Sequence, residues 1–310
     1  MVRFTVLASG SKGNSTVVTG GRTRILIDAG LSCRELFRRM RAVGEEPETL
    51  AGILITHEHA DHVNGVVVTA RKLGIPVYFT EATHRAWMRW LTPRRQMSYT
   101  QWLEKIRLEK EASEASTAEG EAVAELQAAA EPEKPASGKA DPVWLPKVEF
   151  FTPGEAFQIG DITVNPFTTP HDAADPCGFV LEAEGVRLGY ATDLGYMPPN
   201  VKAQLQALDL LLLESNHDLE MLRDGPYPWS VKQRVLSRVG HLSNDAAAEF
   251  LAEEYDGRAG YVVLAHLSEN NNLPELARIA AERALSARGQ LPGHRLLVAT
   301  QQEPLESIHF

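Results

Sequence analysis

The chain has 310 residues, 44% of them hydrophobic, and carries a formal net charge of −10 at pH 7. No apolar run reaches the roughly 20 residues that a membrane-spanning helix needs, and the two cysteines are far apart, so we predict neither a helical membrane protein nor a disulfide-stabilised scaffold. We expect a cytoplasmic protein with no membrane partner, whose core needs no disulfides. The N-terminus predicts a strand rather than a signal peptide, because Ser9 and Gly10 interrupt its apolar stretch at once.

Hydrophobic periodicity predicts alternating strands and helices along most of the chain. Short apolar stretches predict strands at residues 3–8, 16–19, 23–28, 53–55, 76–80, 148–151, 156–159, 161–167, 178–183, 186–191, 208–213 and 261–265. Amphipathic stretches with capping residues predict helices at residues 32–43, 63–73, 81–91, 230–239, 245–255 and 273–286. Residues 295–300 and 306–310 are expected to close the sheet.

Half of the net negative charge lies in one segment, at about residues 104–141. This segment holds ten acidic and five basic residues, is rich in Ala, Glu, Ser and Pro, and is poor in aromatic residues. We therefore predict a single domain over residues 1–310 with a mobile insertion at about 104–141. Because the remaining body is only mildly acidic, the net charge does not exclude a nucleic-acid partner.

The densest group of potential metal ligands follows the predicted strand 53–55. It consists of His57, His59, Asp61 and His62, all within six residues on a turn between a buried strand and a helix. Such a turn can bring four donors close enough to bind two metal ions, with the first two histidines at one ion. A charged surface turn or a pair of structural ligands is the alternative, but the density of the cluster favours the metal site.

Two later residues follow predicted strands and extend this interpretation. His171 follows the strand 161–167 and is either a metal ligand or a loop histidine. Asp193 follows a buried strand, where a carboxylate can bridge two cations or cap the next segment.

These residues resemble the metallo-β-lactamase family. The pattern His57-x-His59-x-Asp61-His62 matches its signature, and its other motifs are matched in order by Asp28, His171, Asp193 and His266. The resemblance implies an α/β fold, a four-layer αββα sandwich, with a dinuclear metal site at one edge. By position it implies His57, His59 and His171 at one ion, Asp61, His62 and His266 at the other, and Asp193 between them. It also implies that Asp28 supports the histidine-bearing turn.

Several further residues are candidates for binding a phosphodiester. The loop 9–15 offers Ser11, Asn14 and backbone amides for an anion, although a tight glycine turn has the same composition. The helix 230–239 carries three cations, Lys232, Arg234 and Arg238, and leads into a histidine followed by a helix start, where unpaired amides favour phosphate; a capped turn is the alternative. The residues concerned in this segment are Lys232, Arg234, His241, Ser243 and Asn244.

Three polar residues complete the candidate set. Glu214 can orient a neighbouring imidazole, and His217 can contact substrate, but either can equally be a cap or turn residue. Asn271 lies in a run of three asparagines that offers amide donors.

Four segments together are similar to the WalJ/YycJ-type branch of the metallo-β-lactamase superfamily. They are residues 9–15, 214–218, 240–244 and 266–271. The resemblance implies a 5′ to 3′ exonuclease acting on duplex DNA ends, with RNA as a possible second polymer and two divalent ions, zinc or manganese, as cofactors. The expected catalytic residues are Asp61 and Asp193, which help to hold the ions and the attacking water, and His241, which steadies or protonates a phosphate oxygen.

Three alternatives remain open on the same scaffold. A thioester, lactone or cyclic phosphodiester hydrolase has no evident need for the basic helix 230–239 or for residues 240–244. A persulfide dioxygenase would share the first motif but would use one iron. A binding module on a degenerate scaffold is disfavoured, because seven ligand candidates are intact. The sequence makes no prediction of oligomeric state.

Overall fold

The computed structural model describes residues 1–92, Arg107, 144–287 and 295–310. Met1–Met88 and Leu145–Phe310 form one compact unit, and Arg89–Trp144 is grouped as a second. Apart from Arg107, the predicted insertion at 104–141 lies outside the described residues, so the single-domain organisation stays a prediction. Within the described ranges, no helix combines the length and apolarity needed to cross a bilayer.

The first sheet has the strand order β14-β1-β2-β3-β4-β5-β6. Its strands are β1 Arg3–Ala8, β2 Ser15–Gly20, β3 Thr23–Ile27, β4 Gly52–Leu54, β5 Pro76–Phe79, β6 Lys147–Phe150 and β14 Ile308–His309. The pairs from β14 to β3 are antiparallel, and those from β3 to β6 are parallel.

The second sheet has the order β13-β12-β11-β10-β9-β8-β7. Its strands are β7 Phe157–Ile159, β8 Ile162–Thr168, β9 Cys177–Ala183, β10 Val186–Ala191, β11 Leu210–Glu214, β12 Tyr261–Ala265 and β13 Arg295–Val298. The pairs from β10 to β13 are parallel. The expectation that the two C-terminal segments close one sheet is therefore wrong, because β13 pairs with β12 in this sheet and β14 pairs with β1 in the other.

Helices lie between these strands. They are α1 Cys33–Ala42, α2 Ala60–Val63, α3 Val66–Leu73, α4 Glu81–Leu91, α5 Pro199–Gln204, α6 Leu219–Asp224, α7 Trp229–Val235, α8 Asn244–Glu253 and α9 Pro274–Ala287. The predicted helix 63–73 corresponds to the last residue of α2 and to α3, which are separated by Asn64 and Gly65. A Cβ at Gly65 would lie 2.0 Å from the Leu31 carbonyl oxygen, so this close approach requires glycine. The predicted helix 230–239 ends at Val235.

Strand β12 shows how the layers pack. Val263 points into the core between the two sheets, whereas Val262 and Leu264 point into a second core between the sheet and the helices. This alternation of two buried faces is expected for a parallel strand covered on both sides. Helices α1 and α3 contact the first sheet, and α9 contacts β13 of the second. The predicted four-layer αββα sandwich is confirmed.

Candidate metal centre

The candidate ligands converge because parallel strands end at the same edge of the sandwich. Asp28 follows β3, Asp193 follows β10 after one residue, Glu214 ends β11, and His266 follows β12. Asp28, Asp193 and His266 have φ values of 57°, 60° and 58°, in the left-handed region that residues with a Cβ avoid. Such strained positions cost about 1–3 kcal/mol each and cluster at functional sites, where the surrounding fold imposes them.

His57, His59 and His171 form the first group of donors, with one ligand atom from each within 4.8 Å of the others. His59 Nδ1 lies 3.2 Å from His171 Nε2. His171 Nδ1 donates to the Gly240 carbonyl oxygen at 2.9 Å, so Nε2 is the ring nitrogen that faces the group. Burial and the neighbouring histidines lower the pKa values of His57 and His59, which favours the neutral imidazoles that metal ions require.

Asp61, His62 and His266 form the second group, also within 4.8 Å. Asp61 Oδ2 lies 3.4 Å from His62 Nε2 and 3.5 Å from His266 Nε2. Burial alone would lower the pKa of His266, but Asp193, Asp61 and Glu214 outweigh it and raise that pKa to about 10. The carboxylates therefore stabilise positive charge at this position.

Asp193 lies between the two groups. Its Oδ1 is 3.6 Å from His171 Nε2, and its Oδ2 is 3.5 Å from His62 Nε2. Within the described chain, Asp193 Oδ2 and His57 Nε2 are buried without a hydrogen-bond partner. Buried polar atoms are normally satisfied, so these unpartnered atoms fit a site built to bind cations. Imidazole and carboxylate donors suit divalent ions such as zinc and manganese.

Glu214 orients two imidazoles at the second group. Its Oε1 accepts hydrogen bonds from His241 Nδ1 at 2.9 Å and His266 Nδ1 at 2.7 Å, and its Oε2 accepts from the backbone amides of Leu194 and Leu242. Burial alone would raise the pKa of Glu214, but the charge and hydrogen bonds of both histidines lower it. Glu214 is therefore ionised and holds each ring through its Nδ1.

Asp28, which follows a strand of the first sheet, orients the imidazole of His62 in the same way. Its Oδ2 lies 2.7 Å from His62 Nδ1 and accepts from Thr56 Oγ1, and its Oδ1 accepts from the Thr56 backbone amide. These contacts fix the start of the histidine-bearing turn. Gly30 lets the turn approach, because a Cβ there would lie 1.7 Å from the Asp61 carbonyl oxygen.

A cavity of about 400 Å³ opens over both groups. Its lining includes the candidate ligands His59, Asp61, Asp193 and His266, and the further polar residues Ser11, Asn216, Tyr227, Arg234, His241, Ser268 and Asn271. Arg234 donates to both carboxylate oxygens of Asp172. The volume falls within the range of roughly 300–1,000 Å³ typical of ligand sites.

The sequence pattern of a Beta-lactamase superfamily domain matches residues 23–267. The chain belongs to the beta-lactamase superfamily. This superfamily match covers the histidine-bearing turn and every other candidate metal ligand.

Curated relatives and solved structures agree with this assignment. Exodeoxyribonuclease YycJ of Bacillus anthracis is 33% identical over 288 residues, which cover 93% of this chain and 90% of that protein. Exodeoxyribonuclease WalJ of Streptococcus pneumoniae is 32% identical over 284 residues, which cover 92% and 88%. The metallo-beta-lactamase fold protein YhfI from Bacillus subtilis has a TM-score of 0.61 at 15% identity, with 98% of each chain covered. The predicted resemblance to the WalJ/YycJ-type branch and the predicted fold are confirmed.

Three of the predicted substrate-binding residues line the cavity over the metal centre, namely Ser11, Arg234 and Asn271. Lys232 does not: it is buried, and its ammonium group donates to the Arg223 carbonyl oxygen. Asn14 is also buried beneath the cavity, where its amide nitrogen lies 3.2 Å from Asp61 Oδ2 and 3.1 Å from His62 Nε2. The structure therefore corrects the prediction that Lys232 and Asn14 face a phosphate.

Ser243, Asn244 and His217 also lie outside the lining of the cavity. Ser243 caps α8 by accepting from the Ala246 amide, and the buried Asn244 bonds to Ser215 and Asn272. His217 is 1% exposed. Ser243 and Asn244 have structural partners, so the prediction that their side chains contact substrate is corrected as well. Both ring nitrogens of His217 are buried without a hydrogen-bond partner among the described residues, so its contact with substrate stays a prediction.

Sequence reasoning missed Asn216, Tyr227 and Ser268, which line the cavity. Tyr227 lies between α6 and α7, in a segment without periodicity. Asn216 and Ser268 lie within the segments 214–218 and 266–271 that carried the resemblance. Their place in these segments could have identified them as candidates for the cavity.

Proposed function

We propose that this chain is a metal-dependent nuclease, a 5′ to 3′ exonuclease that hydrolyses phosphodiester bonds of duplex DNA and holds two divalent ions, zinc or manganese. The observation that carries the proposal is the pair of donor groups on either side of Asp193, whose carboxylate lies 3.6 Å from His171 Nε2 of the first group and 3.5 Å from His62 Nε2 of the second. The polymer and the exonuclease activity are supported by the two relatives named exodeoxyribonuclease. Cytoplasmic action is part of the same proposal.

The proposed ion ligands are the side chains that form the two groups. His57, His59 and His171 would hold one ion, Asp61, His62 and His266 the other, and Asp193 both. Bound divalent ions supply charge neutralisation and lower the pKa of bound water towards neutrality. Asp28 and Glu214 fix the ring orientations of His62 and His266, so each Nε2 is available as a donor atom.

His241 is the proposed proton donor or phosphate contact. It lines the cavity, its side chain is 19% exposed, and its Nδ1 is held by Glu214. Its Nε2 is therefore the atom that can reach a phosphate oxygen, and the Glu214 carboxylate can balance the positive charge of the protonated ring. Arg234 and Ser11, also in the lining, supply a cation and a hydroxyl for the phosphodiester.

The test is digestion of end-labelled duplex DNA and RNA by the purified protein with added zinc or manganese. We expect duplex DNA to shorten from its 5′ end only when metal is added. His241→Ala should lower turnover by roughly 10²–10⁴-fold without loss of metal, whereas His309→Ala, on an exposed residue of β14, should not. A metal-loaded protein inert towards every polynucleotide, but active on thioesters or lactones, would overturn the proposal.

A further inference from the structure

A second cavity, of about 170 Å³, adjoins the cavity over the metal centre. Ser11 and Ser268 line both cavities, so they form a wall that the two cavities share where they meet. The rest of the lining comes from Ser9, from the segment that leads into α9 and from the segment after β13; these residues are Leu267, Glu269, Asn272, Leu273, Pro274 and Ala299–Gln302. At less than roughly 300 Å³, the cavity is smaller than sites for drug-sized ligands, so it suits a single small group of a substrate rather than a longer chain.

The walls of this second cavity are fixed by hydrogen bonds. The Ser9 amide donates to the Thr300 carbonyl oxygen at 3.0 Å. Gln301 Nε2 donates to the Gly13 carbonyl oxygen at 3.0 Å, and its Oε1 accepts from the Lys12 amide at 2.7 Å. These bonds join the loop before β2 to the segment after β13, so a ligand would enter a preformed site and lose little affinity to ordering it.

The lining has an apolar side and a polar side. Leu267, Leu273 and Pro274 supply the apolar side. Ser11 and Gln302 supply polar groups, and neither side chain makes a hydrogen bond with the part of the chain that the structure describes. An apolar surface with a few free donors and acceptors suits a sugar and base.

The charge of the rim argues against a second phosphate. Glu269 lines this cavity, and its carboxylate pairs with the Lys12 ammonium group at 2.6 Å. The nearby cation is therefore already neutralised, and the Glu269 carboxylate adds negative charge at the rim of this cavity. An uncharged group is thus favoured here, and the phosphate is favoured at the metal centre, where the proposed cations would bind it.

We propose that the second cavity holds the nucleoside esterified to the scissile phosphate. The inference rests on the proposed phosphodiesterase activity: a phosphate at the metal centre has its ester oxygens within one bond of a sugar, and the shared wall of Ser11 and Ser268 is where that sugar would lie. Binding energy from the nucleoside, which does not itself react, then raises kcat/KM by positioning the phosphate.

The test compares three phosphodiesters that share the leaving group 4-nitrophenolate. They are the 5′ and 3′ isomers of thymidine 4-nitrophenyl phosphate, and methyl 4-nitrophenyl phosphate. We expect the wild-type protein to have at least tenfold higher kcat/KM for one thymidine isomer than for the methyl ester. Leu273→Trp and Gln302→Trp add bulk to the cavity from two different segments of its lining, and each should lower this ratio at least tenfold. Ile279→Trp, at an exposed residue of α9 that lies outside the lining of both cavities, should keep it.

The outcomes separate this inference from the proposed function. If the wild-type protein hydrolyses the methyl ester without preferring a thymidine ester, or if both filled variants keep the wild-type ratio, the nucleoside site is wrong and the phosphodiesterase remains. If the metal-loaded wild-type protein hydrolyses none of the three esters and no DNA, both fail. The two tryptophan variants are independent, so the failure of one to fold leaves the other to decide.

Discussion

Glu214→Gln should invert the protonation of two histidines while leaving the fold intact. Glu214 Oε2 accepts from two backbone amides, which cannot become acceptors, so the glutamine oxygen must take that place. Its NH₂ group then faces Nδ1 of His241 and His266 and must donate to both. Each neutral ring is forced to carry its proton on Nε2, where it cannot ligate a cation or accept a proton.

The magnitude follows from this exchange of donors. The variant keeps all four hydrogen bonds of this side chain, and only the two with His241 and His266 reverse their direction. The free energy of unfolding should therefore fall only by the difference between hydrogen bonds to a charged carboxylate and those to a neutral amide, about 1–3 kcal/mol. Metal affinity at the group that includes His266 should fall by roughly 10–100-fold, the usual effect of losing a partner that orients a metal ligand.

The assay is metal content after dialysis against graded chelator, with urea unfolding to measure stability. We expect the variant to retain one ion under conditions in which the wild type retains two. Glu182→Gln makes the same chemical change at a residue paired with Arg187, away from the site, and should behave as the wild type. If Glu214→Gln keeps both ions at unchanged affinity, the orienting role assigned to Glu214 is refuted.

Three further results are expected. Burial lowers the pKa of His217 to about 4 from the ordinary 6.5. The unfolded chain therefore binds that proton at a higher pH than the folded chain, and the free energy of unfolding should fall by about 3 kcal/mol as the pH decreases from 6.5 to 4. His217→Phe should remove this part of the loss in urea unfolding of the metal-free protein, and an unchanged pH dependence would contradict the lowered pKa. Gly30→Ala, whose Cβ would meet the Asp61 carbonyl oxygen, should cost about 3 kcal/mol or more in urea unfolding, whereas Gly260→Ala, with no contact closer than 3.9 Å, should not. Arg234→Ala should weaken DNA binding and lower the salt dependence of log K by about 1, and an unchanged slope would remove Arg234 from the phosphate contacts.

Sequence analysis predicted the convergence of those ligands whose positions are set by the ends of neighbouring strands. His57 to His62 lie within six residues of one another, and Asp193 and His266 each follow a segment that the sequence predicts to be a strand. Because parallel strands end at one edge, their convergence could be predicted before any coordinates.

Side-chain surroundings in the turns could not be predicted in the same way. Ser243 and Asn244 follow His241 in a pattern that suits either a phosphate or a helix cap, and the cap and a buried amide network use both residues. The helix bearing Lys232 ends at Val235, earlier than its polar pattern indicates. The left-handed backbone at His266 has no signal in the sequence, since that conformation usually indicates Gly or Asn.

The most direct test of the account is an anomalous diffraction map of crystals grown with manganese or zinc. We predict two peaks, roughly 3.5–4 Å apart as in other two-metal sites, one among His57, His59 and His171 and the other beside Asp61 and His266, with Asp193 between them. A single peak, or peaks outside these two groups, would contradict the proposed two-ion centre.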